Sequence, residues 1–386
     1  MKARNIDFSY KLLNYDKLSV EKYLKDLRLV GSLSRLFSDS NIPFLHYRAT
    51  ENLYCDDFGA ENLARADVSA DAKYKDKGVG IKTFIENAEL QKVAEFNNQH
   101  KLYEALPPSE MIRKVAELRN LRMGFTMKAY GLTDLIYHCV VRSREGFLLF
   151  EEKMNFIDIE HIKLEKESEH TYSFSDGIEN YKFDASKSTL YKRFATKNFF
   201  ADVKVDTLTD PIDALRKISL DKTAPVISFY ETVIIPLYAT DRVGNKTVNA
   251  KSGLNQWNAG GRARDNDEVY IPFNSVLREK YENFFPPRDK PFDVELPNGQ
   301  TMSMKICQDG GKAIMSNPNK ALGKWLLRNV LNVPQDKVVT YEMLLAVGVD
   351  AVSFQKRPNG SYKMDFKQVG EFERLLDKEV VADYEG

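Results

Sequence analysis

The chain has 386 residues and a mass of 44.3 kDa, enough for two or three domains that each bury a core. Lys and Arg total 56, as do Asp and Glu, so a uniformly basic coat and a long acidic tail are both excluded. A nucleic-acid partner is not excluded, because local patches set the field that a partner meets. Cys55, Cys139 and Cys307 lie too far apart for a disulfide framework or a zinc knot and read as reduced thiols. No apolar run approaches the roughly 18 residues that span a bilayer, so no membrane role is expected. The opening residues carry no signal-peptide core, which predicts an intracellular protein.

Spaced Leu, Val and Phe over 11–37 predict one or two helices. The segment from Ala66 to Ile85 reads as two short strands around a Lys-Asp-Lys-Gly turn. Glu86 to Asn98 is expected to open a helix that stops at Pro107 and Pro108. Ser109 then caps a helical spacing of Met111, Val115, Leu118 and Leu121. Leu135–Val141 and Phe147–Phe156 predict two strands joined by a turn at Arg142–Gly146. Tyr172, Phe174, Tyr181 and Phe183 alternate with polar groups, as in more sheet. Pro211–Leu220 reads as a short helix and Pro225–Tyr238 contains an apolar strand. Beyond it come short strands at Val269–Phe273, Phe292–Leu296 and Thr301–Ile306, with a hairpin turn at Asn298-Gly299. A helix is expected over Lys324–Leu331.

Composition changes after Tyr238. From Arg242 to Arg264 there are five cations (Arg242, Lys246, Lys251, Arg262, Arg264) and no acid; acids resume at Asp265. A second acid-free stretch, Lys312 to Arg328, holds Lys312, Lys320, Lys324 and Arg328. These residue types suit a duplex. Arg grips guanine by two parallel hydrogen bonds, Asn or Gln does the same to adenine, and Lys or Ser holds phosphate. Gly260 and Gly261 allow close backbone approach. Trp257 suits either stacking on the ligand or packing under its own loop.

The run SGLNQWNAGGRARDNDEVYIPF, with FFPPRDKPFDVELPNGQTMSMKICQDGGKAIMSNPNKALGKWLLRNVL after it, resembles the B3-like DNA-binding domain of type II restriction endonucleases of the NgoFVII-like group. The resemblance covers roughly residues 240–355. It implies an open pseudobarrel that reaches into the major groove with two arms. On that resemblance Gln256, Trp257, Asn258, Arg262 and Arg264 fall on one arm, and Ser316, Asn317, Asn319 and Lys320 on the other.

If one half reads DNA, the other is a candidate to cut it. Metal-dependent cleavage needs carboxylates for a divalent cation and usually a lysine beside the attacking water. Asp67-Val-Ser-Ala-Asp71 followed by Gly80-Ile-Lys82 looks like the PD-(D/E)xK nuclease arrangement, with Gly80 where the second acid is expected. Glu86 or the next helix is the replacement sought. Asp134 with Glu151-Glu-Lys153 is an alternative, and a composite of the two places is a third, with Glu151 or Glu152 supplying what Gly80 lacks. Arg113, Arg119 and Arg122 form a basic helical patch suited to phosphate or to solvent. His161-Ile-Lys163 resembles the phospholipase D motif, but its companion residues are missing.

The expectation is therefore a two-domain α+β protein. Residues 1–234 form an α/β nuclease-like domain with a central mixed sheet, and 235–386 form a B3-like β pseudobarrel. The expected function is Mg²⁺-dependent, site-specific hydrolysis of double-stranded DNA as a type II restriction endonuclease. Asp71, Asp67 and Glu151 are the expected metal ligands, and Asp67, Asp71, Lys82, Glu151 and Lys153 the catalytic candidates. The competing readings are a non-catalytic DNA-binding or regulatory protein and a metal-independent cleaving or base-excising enzyme. The partner is a duplex with a short specific target. A palindromic target calls for a homodimer, and the resemblance places the protein in the cytoplasm of a prokaryotic cell.

Overall fold

A computed structural model describes residues 6–63, 68–216, 231–241 and 243–375. Asp67, Arg242, the back of the Pro211–Leu220 helix and the front of the Pro225–Tyr238 run lie outside the described residues. Close contacts divide the chain into two compact units, Met1–Met123 with Leu132–Val226, and Gly124–Gly131 with Ile227–Gly386.

In the first unit, helix α1 (Lys17–Ser32) opens on Asp16, whose side chain accepts the Ser19 N–H. It buries Val20, Tyr23, Leu27 and Gly31, the stripe that helical spacing dictates. Helix α2 (Tyr47–Phe58) ends on Gly59 in the left-handed region at φ 63°. The chain continues through β1 (Glu61–Asn62), β2 (Ala72–Tyr74), β3 (Lys77–Ile85), β4 (Leu90–Glu95), helix α3 (Pro108–Tyr130), whose end from Gly124 belongs to the second unit, β5 (Asp134–Ser143) and β6 (Gly146–Lys153). Then come β7 (Lys163–Ser168), β8 (Thr171–Ser175), β9 (Asn180–Asp184), β10 (Thr189–Arg193), β11 (Ala201–Lys204) and the short helix α4 (Pro211–Arg216).

One sheet runs in the order β1-β2-β3-β5-β6-β11. It is mixed, because β3 and β5 are parallel while the other pairs are antiparallel. Residues 135–141 of β5 are all buried, as expected for a strand covered on both faces. The register sets the faces. Gly80, Tyr137 and Glu152 form one row across β3, β5 and β6; Ile81, His138 and Glu151 form the next; Lys82, Cys139 and Phe150 form the third. Successive rows point to opposite sides, so Lys82 and Glu151 lie on opposite faces of the sheet. The second sheet has the order β4-β10-β9-β8-β7, and Tyr172, Phe174, Tyr181 and Phe183 are buried in it with period two.

The helix expected to open near Glu86 is instead strand β4, which pairs with β10 through Leu190↔Ala94 and Thr189↔Glu95. Its partner lies almost a hundred residues away in sequence, so non-local pairing overrides local helical preference.

The second unit contains β12 (Thr232–Pro236), β13 (Ala239–Thr240), β14 (Lys246–Thr247), β15 (Ile271–Pro272), helix α5 (Ser275–Lys280), β16 (Phe292–Glu295), β17 (Thr301–Cys307) and β18 (Ala313–Ser316). Helix α6 (Ala321–Gly323) runs into a wide π turn over Lys324–Val330, and α7 (Tyr341–Val347), β19 (Val349–Lys356) and β20 (Tyr362–Gln368) complete the fold. Seven strands follow the order β12-β19-β20-β16-β17-β18-β15, and the two end strands contact each other, giving a near-closed barrel. Only β16–β20 is parallel. The β16–β17 hairpin turns at Asn298-Gly299, where Gly299 takes φ 84° and Asn298 Oδ1 accepts the Gln300 N–H at 3.0 Å. Phe285 anchors the core against Phe273, Phe284, Phe292, Phe354 and Tyr362. The architecture is thus a two-domain α+β protein. Among the described residues, no helix is long and apolar enough to cross a membrane.

Candidate nucleic-acid interface

The two acid-free segments of the second unit meet on a short acidic stretch, Asp265–Glu268. Lys320 Nζ reaches Asp265 Oδ2 at 2.7 Å, and Arg328 Nε reaches Asp267 Oδ1 at 2.7 Å. Arg328 also donates to the carbonyls of Asn266, Val333 and Pro334 at 2.6–2.9 Å, which makes it a clamp within the domain. Backbone contact reinforces it. A Cβ on Gly323 would overlap the Asp267 carbonyl oxygen and sit 2.6 Å from its carbon, so only glycine fits there. Lys320 holds Asp265's carboxyl below the usual carboxylate range, chiefly by its hydrogen bond. A lowered folded value means that this link is intact above the unfolded value and is lost as pH falls through the folded one. The Lys320–Asp265 contact is therefore expected to persist at neutral pH and open only on strong acidification, which a pH series of Lys320 side-chain NMR shifts checks.

The first arm, around 255–264, is built by polar side chains. Asn255 is fully buried and pairs with Val339 as a strand would, its Nδ2 donating to the carbonyl and its Oδ1 accepting the N–H, both at 2.8 Å. Gln256 is also buried; its Nε2 donates to Glu268 Oε1 at 3.3 Å and its Oε1 accepts Gln308 Nε2 at 2.9 Å. Arg262, more than half exposed, pairs with the same Glu268 oxygen. Arg264 closes the loop on the carbonyls of Ala259 and Gly260, at 2.8 and 3.2 Å. Asn258 donates to the Ala250 carbonyl at 3.0 Å. Trp257 is half-buried, and its indole N–H and the Arg264 Nε–H find no acceptor among the described residues. On the second arm, Ser316 is fully buried, donating to the Pro318 carbonyl and accepting the Leu322 N–H, both at 2.9 Å. That shapes a loop on which Asn317, Asn319 and Lys320 are exposed.

The cleavage candidates are scattered. Glu151 has no exposed side-chain surface and accepts the N–H groups of Leu12 (2.8 Å) and Leu13 (3.1 Å), the Tyr15 hydroxyl (2.7 Å) and a contact from His138 Nδ1 (3.0 Å). Lys153, two residues on, is exposed at the strand end. Glu152 pairs with buried Lys192, which also reaches Glu179 at 2.8 Å. Asp71 accepts the Ile81 N–H at 2.7 Å. Gly80 is tightly packed, since a Cβ there would meet the Met154 methyl at 2.7 Å and the Tyr137 ring at 3.0 Å. Arg119 and Arg122 of the expected basic patch bond inside the first unit, to the Asn155 carbonyl and to Gln99 and the Glu95 carbonyl.

The expected Mg²⁺ site on Asp67, Asp71 and Glu151 is corrected. Among the described residues no group of three or more His, Cys, Asp or Glu side chains is placed to hold a metal. Glu151 is spent in the core on the face away from Lys82, and Asp67 lies outside the described residues. One acid that sequence spacing missed does meet Asp71 and Lys82 electrostatically. Glu51 of α2 is buried, pairs with Arg48 at 2.7 Å, and has its carboxyl raised by burial and by Asp71, against the opposing pull of Arg48 and Lys82. Asp265, Glu268 and Gln308 were missed on the other unit. The signal for the two acids was their place directly after the basic run.

Residues 229–358 match the family of the NgoFVII C-terminal B3-like DNA-binding domain. The near-closed barrel fits that fold, and the chain carries a B3-like DNA-binding domain in its C-terminal half. No curated protein matches the chain.

Proposed function

We propose that the protein is a sequence-specific binder of duplex DNA that grips its target between the segments around 255–264 and 316–328. The observation that carries this reading is the meeting of both segments on Asp265–Glu268, where exposed Arg262 pairs with Glu268 and exposed Lys320 with Asp265. Lys320 and Arg264 supply phosphate contacts. Arg262 and the exposed asparagines address base edges. Gln256 and Ser316 act from beneath, since both are buried and hydrogen-bonded within the domain.

Mobility shift of the full chain on mixed duplexes tests this. Lys320→Ala is expected to weaken binding about equally on all sequences and to lower the slope of log affinity against log salt by about one. A variant with unchanged slope removes Lys320 from the phosphate footprint. No retention of any duplex at low salt removes the reading.

A second reading, hydrolysis of the bound duplex in the manner of a restriction endonuclease, is favoured by one cluster in the first unit. There Glu51, its proton affinity raised, shares charge with Asp71, Arg48 and Lys82. That group offers a proton carrier and two cations for a phosphate. Incubation of the full chain with mixed-sequence plasmid, with and without chelator, separates the readings. Discrete fragments, lost in Lys82→Ala, support cleavage; retarded but intact plasmid supports binding alone.

A further inference from the structure

The first arm contains a polar relay that no base-reading role by itself requires. Gln308 donates to Gln256, Gln256 donates to Glu268, and Arg262 donates to the same Glu268 oxygen. An ionised carboxylate only accepts, so Gln256 must turn its NH₂ toward Glu268 and its carbonyl toward Gln308; the amide has one orientation. Gln308 holds its place at φ 67° and ψ 169°, a backbone region that side chains rarely adopt. Glu268 is almost fully buried, while Arg262 above it is more than half exposed. A guanidinium has five donors, and one nitrogen on Glu268 leaves a further edge for two acceptors.

Resting on the DNA-binding reading above, we infer that Glu268 is a specificity-determining positioning residue, which aims Arg262 at a guanine edge of the target. Glu268 works in two directions. Its fixed negative charge lies near where phosphates must come, so it opposes binding to every duplex alike. Where a guanine offers O6 and N7 to the aimed guanidinium, the paired hydrogen bonds offset that repulsion. The carboxylate thus widens the gap between right and wrong sequences rather than raising affinity. Gln256 and Gln308 keep it in register from below.

The test begins by selecting a preferred sequence from a pool of randomised duplexes with the wild-type full chain. Affinities for that duplex and for an unrelated one are then measured for the wild type, Glu268→Gln, Arg262→Gln and the double variant. Glu268→Gln is expected to lose about tenfold on the selected duplex, the scale of one bidentate base contact, and to hold or gain on the unrelated one. The double variant is expected to bind no more weakly than Arg262→Gln alone, because the carboxylate acts through that side chain. Equal losses on both duplexes with a lowered melting temperature would make Glu268 structural and overturn the inference. So would tighter binding of the selected duplex, which would make it a competitor for Arg262. If the wild type enriches no sequence, the sequence-specific reading itself fails. If it enriches one and Glu268→Gln keeps the same discrimination, only this inference fails.

Discussion

Glu151→Ala is expected to lower the stability of the first unit by about 3–5 kcal/mol, the scale of stranding several donors that share one buried carboxylate. The carboxylate sits at the centre of a closed network. It ties the Leu12 and Leu13 N–H groups and the Tyr15 hydroxyl to β6, and it faces His138 across the strand pair. His138 in turn contacts the Tyr23 hydroxyl at 3.1 Å, and Tyr15 meets the Tyr54 hydroxyl at 2.8 Å. Alanine strands several donors, and each buried one left unsatisfied costs about 1–3 kcal/mol. It also leaves a gap beside Tyr15 and His138. Denaturant unfolding of the full chain, followed by the near-ultraviolet signal of these tyrosines, measures the effect. A variant as stable as the parent chain would show that Glu151 does not hold the core together.

Gly323→Ala is expected to destabilise the barrel and weaken duplex binding together. Gly323 has ordinary helical dihedrals, φ −64° and ψ −45°, so backbone preference alone argues the other way and favours alanine by about 1 kcal/mol. Steric overlap decides the sign. The new methyl would run into the carbonyl of Asp267, a backbone group that cannot rotate aside and whose residue is held by Arg328. Overpacking of this kind costs about 1–3 kcal/mol or more. Separation of the two arms would also shift Lys320 away from Asp265. Thermal unfolding and mobility shift on the same sample check both halves, and a raised melting point would refute the contact.

The legible parts of the fold were those written locally. The β5–β6 hairpin, the Asn298-Gly299 turn and the alternation in β8 and β9 follow from short-range spacing and turn chemistry. Strand β4 was not legible, because its partner β10 is remote. Arg119 and Arg122 read as a basic patch for phosphate or solvent because their acceptors, such as the Asn155 and Glu95 carbonyls, come from other elements. Glu151 fits an acid-x-Lys spacing as well as any ligand would, and only the register shows that its face is the core. In the second unit the basic runs were visible by charge counting, but their anchor was not. Asp265 and Glu268 looked like the end of the basic segment, whereas they bind its cations.

The contact of Gly323 with the Asp267 backbone, sewn by Arg328, ties the two basic segments together at one spacing. If those segments grip a duplex, as proposed above, a caliper of fixed spacing cannot follow variations in groove width, and adaptation would fall to the double helix. Stiff A-tracts with narrow grooves then incur an elastic penalty, and pliable pyrimidine–purine steps do not. Discrimination would extend in this way to base pairs that no side chain touches.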